Sequence, residues 1–166
     1  MENKSITVNA LSIAVTNMSS KVQKVKPDEE ALKKPIEIPE SEEVGENEVW
    51  YPPDWFVVRM NEIMIHRYGG YCGFEVGIEP YHHFIEEIKN AEGIYRKASI
   101  LLKRIATSRI FQDGHHRTAY IVTKTFLEKN DAIFKEKDES KIISFIKDIR
   151  NYDIEQIEGW LQNGKL

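Results

Sequence analysis

Residues 111–120, FQDGHHRTAY, connect a polar loop to an apolar segment and are the most informative part of the chain for fold and function. The apolar residues that follow recur at the spacing of one helix face, namely Ile121, Val122, Phe126 and Leu127. This spacing predicts a helix that begins near His115 and stops near Asn130. The loop therefore leads directly into a helix N-terminus.

The residues of this loop suit the binding of an anion. A helix that begins near His115 leaves its first backbone N–H groups without helical acceptors, and the helix dipole adds partial positive charge there. Gly114 permits a tight turn and a close ligand, and the guanidinium of Arg117 matches phosphate oxygens. Asp113 would repel a bare phosphate, but it suits a site that holds Mg²⁺, and it equally suits a helix cap. From chemistry alone, an anion site and a simple capped helix with a surface arginine both remain open.

Helices are also predicted on both sides of this loop. Asp54 and Gly69 mark the ends of the first, and Pro80 suits the first turn of the second. The others are expected over about 92–108, over 140–149, and between Asp153 and Gly164. The sequence therefore predicts a mainly α protein, a bundle of about six helices.

The first fifty residues follow a different pattern. Residues 5–15, SITVNALSIAV, alternate between apolar and polar and predict a strand with a bulge, or two short strands. Residues 26–53 hold five of the six prolines and should be irregular or extended. We therefore expect an N-terminal strand segment and acidic Pro-rich linker over 1–50, followed by a helical domain over 51–166.

Charge is distributed unevenly along the chain. Residues 28–48 contain nine acidic residues and two lysines, whereas the whole chain has a net charge of −4, so the remainder is mildly basic. This balance is not typical of a general nucleic-acid binder. The acidic stretch could shield an anion site on the basic body, or it could be only a solvated linker.

The cysteine count, the apolar runs and the N-terminal residues indicate the cellular compartment in which the protein is expected. Cys72 is the single cysteine, so an internal disulfide is impossible and a reduced thiol is expected. No apolar run reaches the length of a membrane span, and MENKSITVNA at the N-terminus has no signal-peptide core. We expect a cytoplasmic protein with no membrane partner.

The stretch 109–117 resembles the signature of the Fic/Doc family, His-x-Phe-x-Asp/Glu-Gly/Ala-Asn-Gly/Lys-Arg. Phe111, Asp113, Gly114 and Arg117 match that pattern. Other segments resemble the Doc (death-on-curing) branch in the same order along the chain: HRYGGYCG at 66–73, FLEKNDA at 126–132 and IEQIEGWL at 154–161. The resemblance covers about residues 54–163.

This resemblance implies a fold, a reaction and site residues. Members of the family are all-α bundles, and most transfer AMP or another phosphate-containing group from a nucleotide to a protein hydroxyl, whereas Doc toxins phosphorylate a translation factor. The cofactor implied is ATP or another nucleotide with Mg²⁺, and the partners implied are a protein substrate or an antitoxin. The metal ligand would be Asp113, the anion hole would comprise Gly114 with the amides at His115 and His116, Arg117 would hold phosphate, and Phe111 would anchor the core.

Positions 109, 115 and 116 depart from the family pattern. The histidine that acts as general base is Arg109 here, and a guanidinium stays protonated, so it cannot accept a proton, although it could add positive charge beside a phosphate. His115 takes the place of the asparagine and His116 that of the variable residue. Either histidine could replace the base only if the target approached differently, because both lie on the far side of the loop from Arg109. Neither this histidine pair nor His82-His83 has the spacing of a metal site.

Three functional hypotheses follow. The chain could be a Fic/Doc-like transferase with altered or weak chemistry, a degenerate member that binds a nucleotide without turnover, or an interaction module without a small ligand. The interpretation favoured by the residues is a Fic/Doc-like protein that keeps the anion site and lacks the usual base.

Overall fold

The computed structural model describes residues 22–166, and the strand expected over 5–15 lies outside them. The described residues form seven α-helices, one 3-10 helix and one two-stranded sheet. The prediction of a mainly α fold is confirmed. No helix in this part of the chain is both long and apolar enough to cross a membrane.

The elements follow one another in this order: β1 (Gln23–Val25), α1 (Glu29–Leu32), α2 (Asp54–Tyr68), β2 (Gly70–Cys72), α3 (Glu79–Asn90), α4 (Ile94–Thr107), α5 (His115–Lys129), α6 (Glu139–Lys147), a 3-10 helix (Ile149–Asn151) and α7 (Ile154–Asn163). The six helices expected from periodicity correspond to α2 through α7. The bounds that were expected differ from the observed ones by two residues at most, and the start of α5 at His115 agrees.

The core is built around α4, which packs against α3, α5 and α7, while α2 packs against α5. The inward face of α4 is formed by apolar side chains at helical spacing, and four of them are almost fully buried: Ala98, Leu101, Leu102 and Ile105. This central position explains why α4 has a strongly apolar face and charged residues on the opposite one. The N-terminus of α5 is thereby held by a rigid bundle.

Helix ends follow the local signals of the sequence at most positions. Pro80 lies in the first turn of α3, and Gly164 ends α7 in the left-handed conformation. The Asp153 carboxylate accepts from the Gln156 amide at 2.8 Å in a capping box. The expectation for Asp54 was wrong by one position, because Pro53 is the cap residue and Asp54 is the first residue of α2.

Residues 26–53 are mostly irregular, as expected, with one exception. The Asp28 carboxylate accepts from the amides of Glu30 and Ala31 at 2.9 and 3.1 Å, and this cap supports the single turn α1. Just before it, β1 pairs antiparallel with β2, with Val25 opposite Gly70. The described part of the N-terminal segment therefore lies on the helical body.

Trp50 fastens the end of this segment to the bundle. Its indole is 3% exposed and meets the Phe56 ring edge to face, with centroids 5.5 Å apart. Its backbone N–H donates to the side-chain oxygen of Asn130 at 2.8 Å, and its carbonyl accepts from the same amide at 3.0 Å. The side chain of Asn130 thus pairs with both backbone groups of Trp50, as a neighbouring β-strand would.

Candidate functional site

The loop before α5 is held by the segment that follows β2. The amide of Glu75 donates to the carbonyl of Ile110 at 2.9 Å, and the amide of Gln112 donates to the carbonyl of Gly73 at 2.9 Å. These antiparallel contacts fix the backbone on the upstream side of Asp113. The segment 73–75 therefore helps to position the loop, in addition to the loop's own residues.

Phe111 anchors this loop in the core. Its side chain is fully buried and stacks on the ring of Phe74, with centroids 5.7 Å apart and an angle of 18° between the planes. Burial of an aromatic side chain of this size stabilises the fold by roughly 1.5–3 kcal/mol. Phe111 therefore has the place that the sequence resemblance implied for it.

Gly114 is the cap residue of α5 and adopts a left-handed conformation, with φ of +78° and ψ of +9°. A Cβ atom at this position would lie 3.0 Å from Nδ2 of Asn61 and 3.1 Å from Cδ1 of Ile65. Both the backbone conformation and the close contacts thus require glycine. The tight turn expected from the sequence is present.

Asn61 supports the turn from below, and the sequence analysis missed it. Its side chain is fully buried, and Nδ2 donates to the Asp113 carbonyl at 2.9 Å and to Oγ1 of Thr118 at 3.1 Å. Its Oδ1 is buried without a hydrogen-bond partner. The available signal was a polar residue on the apolar face of α2, between Met60 and Met64.

Three consecutive amides at the start of α5 have no hydrogen-bond acceptor in the part of the chain that the structure describes. The first backbone N–H satisfied within the helix is that of Thr118, which donates to the Gly114 carbonyl at 2.9 Å. Within residues 22–166, no carbonyl or side chain accepts from the amides of His115, His116 and Arg117, and no side chain caps the helix. The Gly114 amide is different, because it donates to the Asp113 carboxylate at 2.7 Å. The donors therefore lie on the helical side of Gly114.

Arg117 is the third residue of α5, and its side chain makes one defined contact. The central carbon of its guanidinium is 4.3 Å from the centroid of the Tyr68 ring, a cation–π contact. Among the described residues it makes no ion pair. The N–H groups of a stacked guanidinium point outward from its edge, so the charge remains available to an anion.

Arg109, which the sequence analysis suggested could add positive charge beside a phosphate, is paired with an acidic residue. It forms an ion pair with the Glu75 carboxylate, and its own side chain is 73% exposed. The contact raises the pKa of Arg109 and lowers the pKa of Glu75. Because Glu75 offsets its charge, Arg109 adds little to a phosphate site, and like any guanidinium it cannot act as a base.

The two histidines at the start of α5 are half-buried. Burial lowers the pKa of His115 below its ordinary value, and the Nδ1 atom of that ring is buried without a hydrogen-bond partner. Burial also lowers the pKa of His116, and the neighbouring cations lower it further. Both rings are therefore mostly neutral at pH 7 and bring little positive charge.

Asp113 is the residue that could hold a metal ion. It is exposed, and Oδ2 faces Gly70, where a Cβ atom would come within 2.6 Å of that oxygen. In residues 22–166 no three His, Cys, Asp or Glu side chains form a metal-binding group. A single carboxylate does fit Mg²⁺ that is brought by phosphates, because this ion keeps several waters and needs few protein ligands.

The acidic segment 28–48 contacts α2. The Asp28 amide donates to the His66 carbonyl at 3.2 Å, and the Arg67 guanidinium donates to the Leu32 carbonyl at 3.0 Å. Among described residues, none of its hydrogen bonds or ion pairs reaches the loop before α5. These contacts favour the interpretation as a packed linker over that of a shield.

No family model matches the chain, and no curated protein and no solved structure matches it either. The function is therefore argued from the residues and their geometry.

Proposed function

We propose that this protein is a Fic/Doc-like domain that binds the phosphate of ATP or another nucleotide at the N-terminus of α5, with transfer to a protein hydroxyl weak or absent. The observation that supports this most is a set of three amides, at His115, His116 and Arg117, that have no acceptor among residues 22–166. The Arg117 guanidinium forms no ion pair within the same residues and stacks on Tyr68. Backbone N–H groups at a helix start and an adjacent arginine together form a typical phosphate site.

The strength of this site follows from its donors. A hydrogen bond to a charged group contributes about 1.5–3 kcal/mol, and the helix dipole adds roughly 0.3–1 kcal/mol. Part of this gain is offset by the loss of ligand freedom on binding. We therefore expect a dissociation constant between about 1 µM and 1 mM, which corresponds to about −8 to −4 kcal/mol.

Mg²⁺ would bind at Asp113 together with the nucleotide and would neutralise charge on the phosphates. This explains how a carboxylate can lie beside an anion site. The carboxylate also holds the Gly114 amide, so its role in the turn is independent of the metal.

The proposed loss of transfer activity rests on position 109. General-base catalysis contributes about 10²–10⁴-fold to rate, and the side chain at this position is a guanidinium bound to Glu75. The remaining candidate base is His115, since its lowered pKa keeps the imidazole neutral at pH 7. Any residual transfer to a protein hydroxyl should therefore depend on His115.

Nucleotide binding is tested by calorimetry with ATP in the presence and absence of Mg²⁺. Arg117→Ala should weaken binding at least tenfold, because it removes the guanidinium carried by the third residue of α5. Arg59→Ala is the matched control, since Arg59 lies on the outward face of α2 in an exposed pair with Glu62 and should leave affinity unchanged. Lack of nucleotide binding by the natural protein, or equal binding by Arg117→Ala, would refute the proposal.

Transfer is tested separately with labelled ATP and candidate target proteins. The natural protein should label them slowly or not at all, and Arg109→His should increase labelling by restoring a base. If the natural protein labels a target rapidly and His115→Gln does not reduce the rate, the assignment of the missing base is wrong.

A further inference from the structure

A groove of about 830 Å³ lies between α2 and the segment 25–39. On α2 it extends from Arg59 to Arg67, which corresponds to about 12 Å along the helix axis. The apolar side chains that line it are half-buried among the described residues, namely Val25, Ala31, Ile36, Ile38 and Ile63. Ile36, Ile38 and Ile63 pack against the core with one side, so their remaining surface faces the groove.

The charges around this groove are of both signs and largely offset one another. The Glu62 carboxylate accepts from the Arg59 guanidinium at 3.0 Å, and the Asp28 carboxylate lies 3.7 Å from Nδ1 of His66. The other charged side chains that line the groove are Lys34, Arg67 and Glu37. The groove therefore has no field of a single sign that would select a strongly charged peptide, and a neutral apolar segment suits it better.

A segment of this kind precedes β1 in the sequence. Residues 5–20 contain no acidic or basic residue. Within them Leu11, Ile13 and Val15 alternate with small residues, so an extended backbone would place the three apolar side chains on one face. From the first to the third, this face would be about 13 Å long, at about 3.3 Å per residue. Its length matches that of the groove along α2.

The connection to β1 is long enough for this segment to reach the groove. Val25 is the last residue of β1 and lines the groove, and the described residues begin shortly before it, at Val22. An extended stretch from Val15 to Val22 spans at most about 25 Å, about twice the length of the groove. Residues 16–20, TNMSS, include asparagine and serine, which favour turns, so the chain can reverse its direction before β1.

We propose that residues 11–15 bind in this groove of the same molecule, with Leu11, Ile13 and Val15 against its apolar lining. The proposal does not depend on nucleotide binding at α5. Burial of three apolar side chains favours the bound state, and the ordering of the segment opposes it, so the bound segment should open readily. A second copy of the chain is a poorer occupant, because a stable dimer buries about 800 Å² on each partner, more than a groove of about 12 Å in length provides.

Hydrogen exchange of the full chain, followed by mass spectrometry, tests the proposal. Ile13→Asp should expel the segment and lower the protection of the amides at 11–15 about tenfold, because an apolar groove disfavours a carboxylate. Val8→Asp is the matched control, since Val8 lies on the other apolar face predicted from the sequence, and protection at 11–15 should not change. Ile63→Ser alters the groove instead of the segment and should lower the protection of the same amides.

Cys72 supplies a second measurement, because it is the single cysteine of the chain and lines the groove. A segment bound in the groove should shield its thiol from N-ethylmaleimide. Modification should therefore be severalfold faster in Ile13→Asp than in the natural protein or in Val8→Asp.

Three results would refute the proposal. The first is equal protection of the amides at 11–15, or equal modification of Cys72, in the natural protein and in Ile13→Asp. The second is an equal loss of protection in Val8→Asp, since the face formed by Leu11, Ile13 and Val15 would then not be the one that binds. The third is protection that increases when the protein concentration is raised, which would assign the groove to a second copy of the chain.

Discussion

Replacing Gly114 with alanine adds a methyl group at the tightest point under the N-terminus of α5. The residue has a φ of +78°, and its new Cβ atom would lie 3.0 Å from Nδ2 of Asn61 and 3.1 Å from Cδ1 of Ile65. Gly164 is the matched control. It also adopts the left-handed conformation, with φ of +69°, but a Cβ atom there would meet its nearest neighbour, Lys135, at an ordinary 3.5 Å.

The two substitutions should differ by the cost of the close contacts. Left-handed backbone costs about 1–2 kcal/mol for alanine, and the less flexible unfolded chain recovers about 0.4–1 kcal/mol. Gly164→Ala should therefore destabilise the fold by about 1 kcal/mol. Overpacking adds about 1–3 kcal/mol, so Gly114→Ala should cost about 2–4 kcal/mol. For a chain of this size, each kcal/mol lowers Tm by roughly 2–4 °C.

Thermal unfolding followed by circular dichroism measures this difference, and calorimetry with ATP measures its effect on the site. Gly114→Ala should lose both stability and nucleotide affinity, whereas Gly164→Ala should lose a little stability only. Adding Ile65→Val removes Cδ1 and should reduce the extra cost of Gly114→Ala. Equal destabilisation by the two glycine substitutions would show that the contacts with Asn61 and Ile65 do not constrain the turn.

Three further predictions concern other parts of the fold. Asn130→Ala removes both backbone hydrogen bonds to Trp50 and should lower the free energy of unfolding by about 2–4 kcal/mol in urea titrations, with a red shift of tryptophan fluorescence in the folded state. The buried ammonium of Lys97 donates to the carbonyls of Ile88 and Lys89 at 2.9 and 2.7 Å, and Lys97→Met, which removes this donor, should lower Tm by several degrees. The control Lys89→Met breaks only an exposed ion pair with Glu86 and should change Tm little. Burial lowers the pKa of His116, so as the pH drops the imidazole takes up a proton in the unfolded chain before it does so in the folded protein. The stability of the fold should therefore decrease as pH drops below about 6.5. His116→Gln should reduce the loss of Tm between pH 7.5 and 5.5.

Features that depend on neighbours in sequence could be predicted. Pro80 and Gly164 identify a helix start and a helix end through their own backbone preferences, and the apolar face of α4 follows from its spacing. The free amides of α5 were predicted in the same way, because they follow from where the helix begins. In each case the information lies within a few residues.

Contacts between distant residues could not be predicted. Asn61 reaches the Asp113 carbonyl across 52 positions, and Arg109 reaches Glu75 across 34. Such pairs form only once the helices are packed, and a single sequence carries no signal that joins them. The strands β1 and β2 were missed for a related reason, since three residues are too few for an alternating pattern to be recognised.

Residues 22–50 are attached to the helical body at both ends, so the two fragments should stay together if a protease cuts the chain between the attachments. The β1–β2 pairing and the contacts of Asp28 with α2 hold one end, and the buried Trp50 with Asn130 holds the other. The stretch 40–48 between these attachments is mostly exposed. Limited proteolysis there should yield a nicked molecule whose two fragments elute together on gel filtration and separate only in denaturant.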